Sequence, residues 1–284
     1  SSGVFQTSFG AQGSTGVAIG PGDYVYLVDY HGDGVQKFDS SGTPVDITGT
    51  DYKNASYSSP YGIAVDSDGN IYVANAGNNN VLKFNSSLAS AGTITGNGGA
   101  FNFPEAVAVD SNKNLYVLDS GNNRVQKFNS SGTFVMTVTG NGGAWNYPEA
   151  LTVDSTGNII VSDSGNNRIQ IFNSSGVFQQ EITAATINAS TPTLNYLSGL
   201  GINSSGTLFV GDYTRVLKMT FDNADASVTI NPLSGNTTTD TTPTFSGTAT
   251  DAISTLTNVE YAIDGGSYSA CVADDAAFDE LSET

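Results

Sequence analysis

The chain has 284 residues, 33 of them glycine, with 13% charged residues and a formal net charge of −18. That length buries a core without disulfides, and the acidic balance excludes nucleic-acid partners, which require clustered Lys and Arg to displace counterions. Cys271 stands alone, which excludes an intrachain disulfide or a cysteine metal cluster, and no stretch reaches the roughly 18 apolar residues of a membrane-inserted helix.

In chain order, the first six residues, Ser1-Ser2-Gly3-Val4-Phe5-Gln6, duplicate Ser174 to Gln179, so the sequence opens on a segment that recurs far downstream. A repeat then organises the chain. Tyr61-Gly62-Ile63-Ala64-Val65-Asp66 returns as Glu105-Ala106-Val107-Ala108-Val109-Asp110 and as Glu149-Ala150-Leu151-Thr152-Val153-Asp154, a spacing of 44 residues each time. Weaker copies begin at Gly16 and Gly199, which makes five copies. Each continues through a Gly/Asn/Ser turn into a second alternating segment such as Leu115 to Asp119, and then into a third such as Val125 to Phe128. A fourth closes each of the first four copies. Period-two alternation, β-branched and aromatic enrichment and closely spaced turn residues predict short antiparallel strands rather than helices. Four strands in each 44-residue copy make one blade of a β-propeller.

The runs Val-Asp-Ser-x-Gly-Asn-Ile-Tyr-Val and Asp-Ser-Gly-Asn-Asn-Arg-Val-Gln-Lys-Phe resemble the NHL-repeat family, over residues 1–222. The fold class expected is therefore all-β, a propeller of four-stranded blades. The five visible copies imply five blades if Ser1 to Gln6 supplies the fifth copy's missing outer strand, whereas the resemblance implies six. Residues 223–284 depart from the repeat and hold 10 acidic and no basic side chains. Alternating segments at Thr242 to Ala249 and Leu256 to Ile263, with a turn at Asp264-Gly265-Gly266, resemble a bacterial immunoglobulin-like β-sandwich module, incomplete because such a sandwich takes about seven strands.

The loops leading into the innermost strands are expected to meet over the central channel. They contribute Tyr61, Glu105, Glu149 and Ser198, with the aromatics Phe101, Phe103, Trp145 and Tyr147 close by. Tyr61, Glu105, Glu149, Trp145 and Tyr147 are the ligand-binding candidates; packing of the four aromatics between blades is the competing account. Glu105 and Glu149 form an oxygen-only pair suited to calcium rather than zinc, set against solvated loop carboxylates. The recurring Asp29, Asp119, Asp163 and Asp212, with Asn75, read as turn caps, and Arg124, Arg168 and Arg215 are expected to pair with neighbouring Asp residues around the ring. Enzymatic relatives implied by the resemblance hold a channel metal with histidines, yet His31, expected on an exposed loop, is the sole histidine.

Seven Asn-x-Ser/Thr sites, at Asn54, Asn85, Asn129, Asn173, Asn188, Asn203 and Asn236, are candidates for N-glycosylation, with plain turn chemistry as the alternative. The expectation from these readings is a non-catalytic, extracellular or cell-surface interaction module. It binds protein or glycan, self-associates through incomplete β units and has no membrane insertion. Set against it are a calcium-dependent lyase or hydrolase at the channel and a glycan or small-ligand receptor.

Overall fold

The computed structural model describes residues 14–29, 34–45, 57–184, 194–212 and 215–220, together with short strands at 227–230, 247–250, 259–261, 269–271 and 277–278. The chain divides into two compact units, Ser1–Met219 and Thr220–Thr284. The first is an all-β propeller of five blades. Blade 1 contains β1 (Ser14–Gly20), β2 (Tyr24–Asp29) and β3 (Gly34–Phe38). Blade 2 contains β4 (Pro60–Val65), β5 (Ile71–Asn75), β6 (Asn80–Phe84) and β7 (Ser90–Ile94). Blade 3 runs from β8 (Pro104–Val109) through β9 (Leu115–Asp119) and β10 (Arg124–Phe128) to β11 (Phe134–Thr139). Blade 4 comprises β12 (Pro148–Val153), β13 (Ile159–Asp163), β14 (Arg168–Phe172) and β15 (Phe178–Thr183), and blade 5 comprises β16 (Leu197–Ile202), β17 (Thr207–Asp212) and β18 (Arg215–Thr220). Each blade is an antiparallel meander in sequence order, with the first strand innermost.

The repeat motifs are turn chemistry. In blade 2, Asp66 Oδ1 accepts the backbone N–H groups of Asp68 and Asn70, while Oδ2 takes the Asn70 amide at 2.8 Å. Asp110 and Asp154 repeat this between the first and second strands of blades 3 and 4. A short carboxylate that bonds the backbone two and four residues on fixes the hairpin, which is why Val-Asp-x-x-x-Asn recurs. Asn85, Asn129, Asn173 and Asn203 do the same at other turns, each with its side-chain oxygen on the N–H groups two and four residues ahead. Asn54, Asn188 and Asn236 lie outside the described residues, as do His31 and Ser1 to Gln6.

The core lies between blades. Second-strand residues pointing forward pack on the next blade's second-strand residues pointing back: Tyr26 and Val28 on Ile71 and Val73, Tyr72 and Ala74 on Leu115 and Val117, Tyr116 and Leu118 on Ile159 and Val161. Each fully buried aliphatic side chain stabilises the fold by about 1.5–3 kcal/mol. Innermost strands approach closely because the repeat places a small residue there. A Cβ on Gly16 would lie 2.5 Å from the Tyr61 carbonyl oxygen, and one on Gly62 would lie 2.7 Å from that of Glu105.

Blades 1 and 5 differ on their outward flanks. Val17, at the position of the buried Ile63, Val107 and Leu151, is 65% exposed, and Ile19 is 69% exposed. On blade 5, Phe209 stands at the position of the buried Tyr72 and Tyr116, yet it is 37% exposed. Among the described residues, none lies within 4 Å of a Cβ built on Gly199.

In the second unit, Ser227–Ile230 pairs with Gly247–Thr250, which also pairs with Ala277–Phe278, and Val259–Tyr261 pairs with Ser269–Cys271. The immunoglobulin-like arrangement expected of residues 223–284 rests mostly on positions outside the described residues.

Candidate functional site

Innermost strands carry a β-bulge at their first residues in every blade. In blade 3, Pro104 pairs with Asp119 and Ala106 with Leu118, so Glu105 is the extra residue. The equivalent shifts fall at Thr15, Glu149 and Ser198, and between Pro60 and Ile63 at Tyr61. A bulge interrupts the ladder and re-aims the inserted side chain. Tyr61, Glu105, Glu149 and Ser198 therefore share a register position at one end of neighbouring innermost strands.

Two residues before each of these four bulges the backbone turns left-handed: Ser59 at φ 44°, Phe103 at 51°, Tyr147 at 47° and Tyr196 at 50°. Three of these are bulky aromatics, for which that region costs about 1–2 kcal/mol. In blades 2, 3 and 4 a proline follows directly, which restricts the preceding residue further. Phe103 meets the Tyr61 ring edge-on at 5.5 Å between centroids. Tyr196 is 58% exposed and its hydroxyl reaches Glu149, whereas Tyr147 is 77% exposed.

Both glutamates are half-buried. Burial pushes the Glu105 carboxyl above its usual range; the Ser120 hydroxyl opposes this and the negative charge of Glu149 adds to it. Burial likewise raises Glu149, opposed by its hydrogen bond with Tyr196. The two acids sit on adjacent blades, both are raised chiefly by burial, and the charge of Glu149 reaches Glu105.

Trp145 has a different place. It is buried between blades 3 and 4, edge-on to Phe172 at 5.8 Å, with its indole N–H donating to Gln170 Oε1 at 2.9 Å. Phe101 occupies the equivalent position in the core between blades 2 and 3. The aromatics thus split by position: Phe101 and Trp145 pack inside, while Phe103 and Tyr147 stand out. Tyr196 and Ser120 were not singled out from the sequence. Asn195-Tyr196, in the place of Asn146-Tyr147, was the available signal, obscured by the 49-residue offset of the last copy.

The recurring Asp residues are architectural. Asp119 Oδ1 accepts the Asn102 N–H at 2.6 Å while Oδ2 holds Arg124 Nε at 2.7 Å, and Asp163 repeats this with Asn146 and with Arg168 at 2.6 Å. Each arginine also caps carbonyls of its Gly-Asn-Gly-Gly turn, Arg124 at Gly99 and Arg168 at Asn141 and Gly143. These ion pairs form within a blade, not between neighbours.

Calcium takes six to eight oxygen ligands. Among the described residues no group of three or more His, Cys, Asp or Glu converges, so Glu105 and Glu149 supply at most two protein carboxylates of such a shell. No helix among them is long and apolar enough to cross a membrane.

The NHL repeat model matches residues 57–84, 101–128 and 146–172, the first three strands of blades 2, 3 and 4. A search of curated proteins gives no match. Among solved structures, a streptogramin B lyase is similar with a TM-score of 0.55 at 14% identity, over 92% of this chain and 83% of that one. A catalytically inactive virginiamycin B lyase from Staphylococcus aureus, with quinupristin, is similar with a TM-score of 0.55 at 14% identity, over 82% of this chain and 76% of the other. A gluconolactonase from Xanthomonas campestris has a TM-score of 0.54 at 16% identity, over 70% of this chain and 69% of its own. Likeness at such identity is a likeness of fold, and it corrects the expectation of a non-catalytic module only so far: similar propellers include enzymes, so the fold is compatible with catalysis. The first unit is a five-bladed β-propeller, and blades 2, 3 and 4 carry NHL repeats.

Proposed function

We propose that the bulge crown is the reaction site of an acid–base enzyme, a hydrolase or lyase that cleaves a small cyclic ligand. The observation that carries this reading is the pair of half-buried glutamates on adjacent blades, both held above the ordinary carboxyl range. With His31 the only histidine, carboxylates are the natural acid–base groups. Perturbed acids in a shared site suit proton transfer.

The two environments divide the roles. The charge of Glu149 adds to the rise at Glu105, which suits Glu105 to donate a proton, whereas the Tyr196 hydroxyl favours the ionised form of Glu149, which suits it to accept one. In hydrolysis of a cyclic ester, Glu149 accepts a proton from water as the water oxygen bonds to the carbonyl carbon. The ring C–O bond then breaks, and Glu105 gives its proton to the departing oxygen. Elimination uses the same pair, with Glu149 taking a carbon-bound proton instead; likeness to the lyase over 92% of this chain supports keeping it as the second reading. Calcium bridging the two carboxylates would polarise the carbonyl, but two protein ligands do not make a resident site, and neither route needs it.

The glycine-, asparagine- and serine-rich surface supports an extracellular setting, and the immunoglobulin-like reading of residues 223–284 rests on the sequence pattern.

The test is turnover of D-glucono-1,5-lactone and of quinupristin by the wild type, Glu105→Gln and Glu149→Gln. Each substitution is expected to lower kcat by about 10²–10⁴, and the pH profile to be bell-shaped. Label taken up from ¹⁸O-water marks hydrolysis; its absence from product marks elimination. Wild-type rates in both variants would sink the proposal.

A further inference from the structure

At the outer rim, the turn between the third and fourth strands of a blade faces the blade before it, and the repeat fills that space differently at successive junctions. Between blades 1 and 2 the turn carries Leu88, 7% exposed and packed into the shared core. Between blades 3 and 4 the turn residue is Gly176, and Met136 of β11 takes up the room: a Cβ on Gly176 would lie 3.3 Å from the Met136 sulfur. Between blades 2 and 3 both positions are glycine, Gly132 in the turn and Gly92 in the place of Met136. Among the described residues, none lies within 4 Å of a Cβ built on either. The result is a cavity of about 340 Å³ whose walls include Tyr72, Lys83, Thr93, Ser130 and Ser131.

The cation in this wall lacks the partner that its counterpart has. Lys127, one repeat on, lies 4.9 Å over the Tyr116 ring and donates to the Ser174 carbonyl oxygen of the next blade at 3.1 Å. Lys83 lies 5.3 Å over the Tyr72 ring in the same way, yet among the described residues it makes no hydrogen bond or ion pair, and Ser130 stands where Ser174 does. An ammonium has three N–H donors and accepts nothing. The Ser130 and Ser131 hydroxyls bond no described residue either. Leu88 and Met136 show that this repeat can close the space with one apolar side chain; here it is left open beside an unpaired cation and free hydroxyl groups.

We propose that this cavity between blades 2 and 3 binds a singly charged carboxylate that carries hydroxyl groups, of the size of a sugar acid. Its walls contain no residue of the crown. A charge-assisted hydrogen bond from Lys83 to the carboxylate replaces the acceptor that Lys127 finds in the protein. The hydroxyls of Thr93, Ser130 and Ser131 exchange hydrogen bonds with those of the ligand. The volume sets the size, since small-molecule sites run from about 300 to 1,000 Å³. A net charge of −18 sets the ligand's charge, because a dianion meets more repulsion for the same single ammonium.

The experiment is an NMR titration of wild type, Lys83→Met, Lys83→Arg and Gly132→Leu with D-glucuronate, methyl β-D-glucopyranoside and sulfate. A cooperative thermal transition shows that each variant is folded. Lys83→Met keeps the aliphatic stem over Tyr72 and removes the ammonium. Gly132→Leu copies Leu88, which holds φ 61° at the same turn position, against 80° at Gly132. In the wild type, D-glucuronate is expected to bind at least about fivefold more tightly than the other two and to shift resonances of residues 91–95 and 129–132. Its affinity falls about tenfold or more in Lys83→Met and in Gly132→Leu, and stays within about threefold in Lys83→Arg. Should Gly132→Leu fail to fold, Lys83→Met decides alone. No binding of D-glucuronate to the wild type, equal binding of sulfate or of the neutral glycoside, or unchanged affinity in Lys83→Met overturns the proposal. Glu105→Gln and Glu149→Gln keep the wild-type affinity for D-glucuronate at this site whether or not the crown is catalytic.

Discussion

Glu105 and Glu149 show how little of a residue's role lies in its identity. The same glutamate on an open loop would titrate as a free carboxylate; in a bulge at the mouth of the propeller, burial raises it. The sign has a consequence for stability. A carboxyl whose folded pKa is raised contributes fully below its unfolded value and loses that contribution as pH rises through the folded value. At neutral pH both glutamates therefore oppose folding. Glu105→Gln and Glu149→Gln are expected to raise Tm at about pH 7 and to leave it unchanged near pH 4, below the ordinary glutamate pKa. Calorimetry at the two pH values checks this, and an increase at pH 4 as large as at pH 7 would contradict it. The sequence marked Glu105 and Glu149 through Phe/Tyr-Pro and the repeat register. It did not show that Trp145 turns inward while Tyr147 turns out, because that depends on a left-handed residue before the proline, which no local pattern specifies.

Within an element, the small residue at the repeat's second position fixes how near one blade comes to the next. Gly16 and Gly62 face the neighbouring innermost strand with no room for a methyl group, whereas Gly199 faces open space. Gly62→Ala forces backbone apart and is expected to cost about 1–3 kcal/mol, in the manner of overpacking. Gly199→Ala is expected to stabilise by about 0.4–1 kcal/mol by restricting the unfolded chain. Paired urea titrations decide it, and equal losses in both variants would mean that the blade 5 flank is covered in solution. Alternation, the Asp and Asn turn residues and the Arg at the start of the third strands in blades 3 and 4 made the strands of blades 2, 3 and 4 legible in the sequence. The bulge was not, since one extra residue in a ladder changes pairing without changing the hydrophobic pattern.

For the molecule as a whole, charge works against compactness. With 27 acidic against 9 basic side chains, self-repulsion is large and screened by salt. Raising ionic strength from about 10 to about 150 mM, which shortens the screening length to near 8 Å, is expected to raise Tm; a Tm independent of salt would show that the charges are too dispersed to matter. The all-β class, the repeat, the turn chemistry and the candidate glutamates were already legible in the linear chain, because each is written in a local spacing of apolar, glycine and carboxylate residues. Assembly of the blades settled that Val17, Ile19 and Phe209 lie uncovered while their counterparts are buried, and that the charge of Glu149 reaches Glu105, 44 residues away in sequence. Those outcomes depend on which blade lies beside which, and contact between distant segments is not encoded in any one of them.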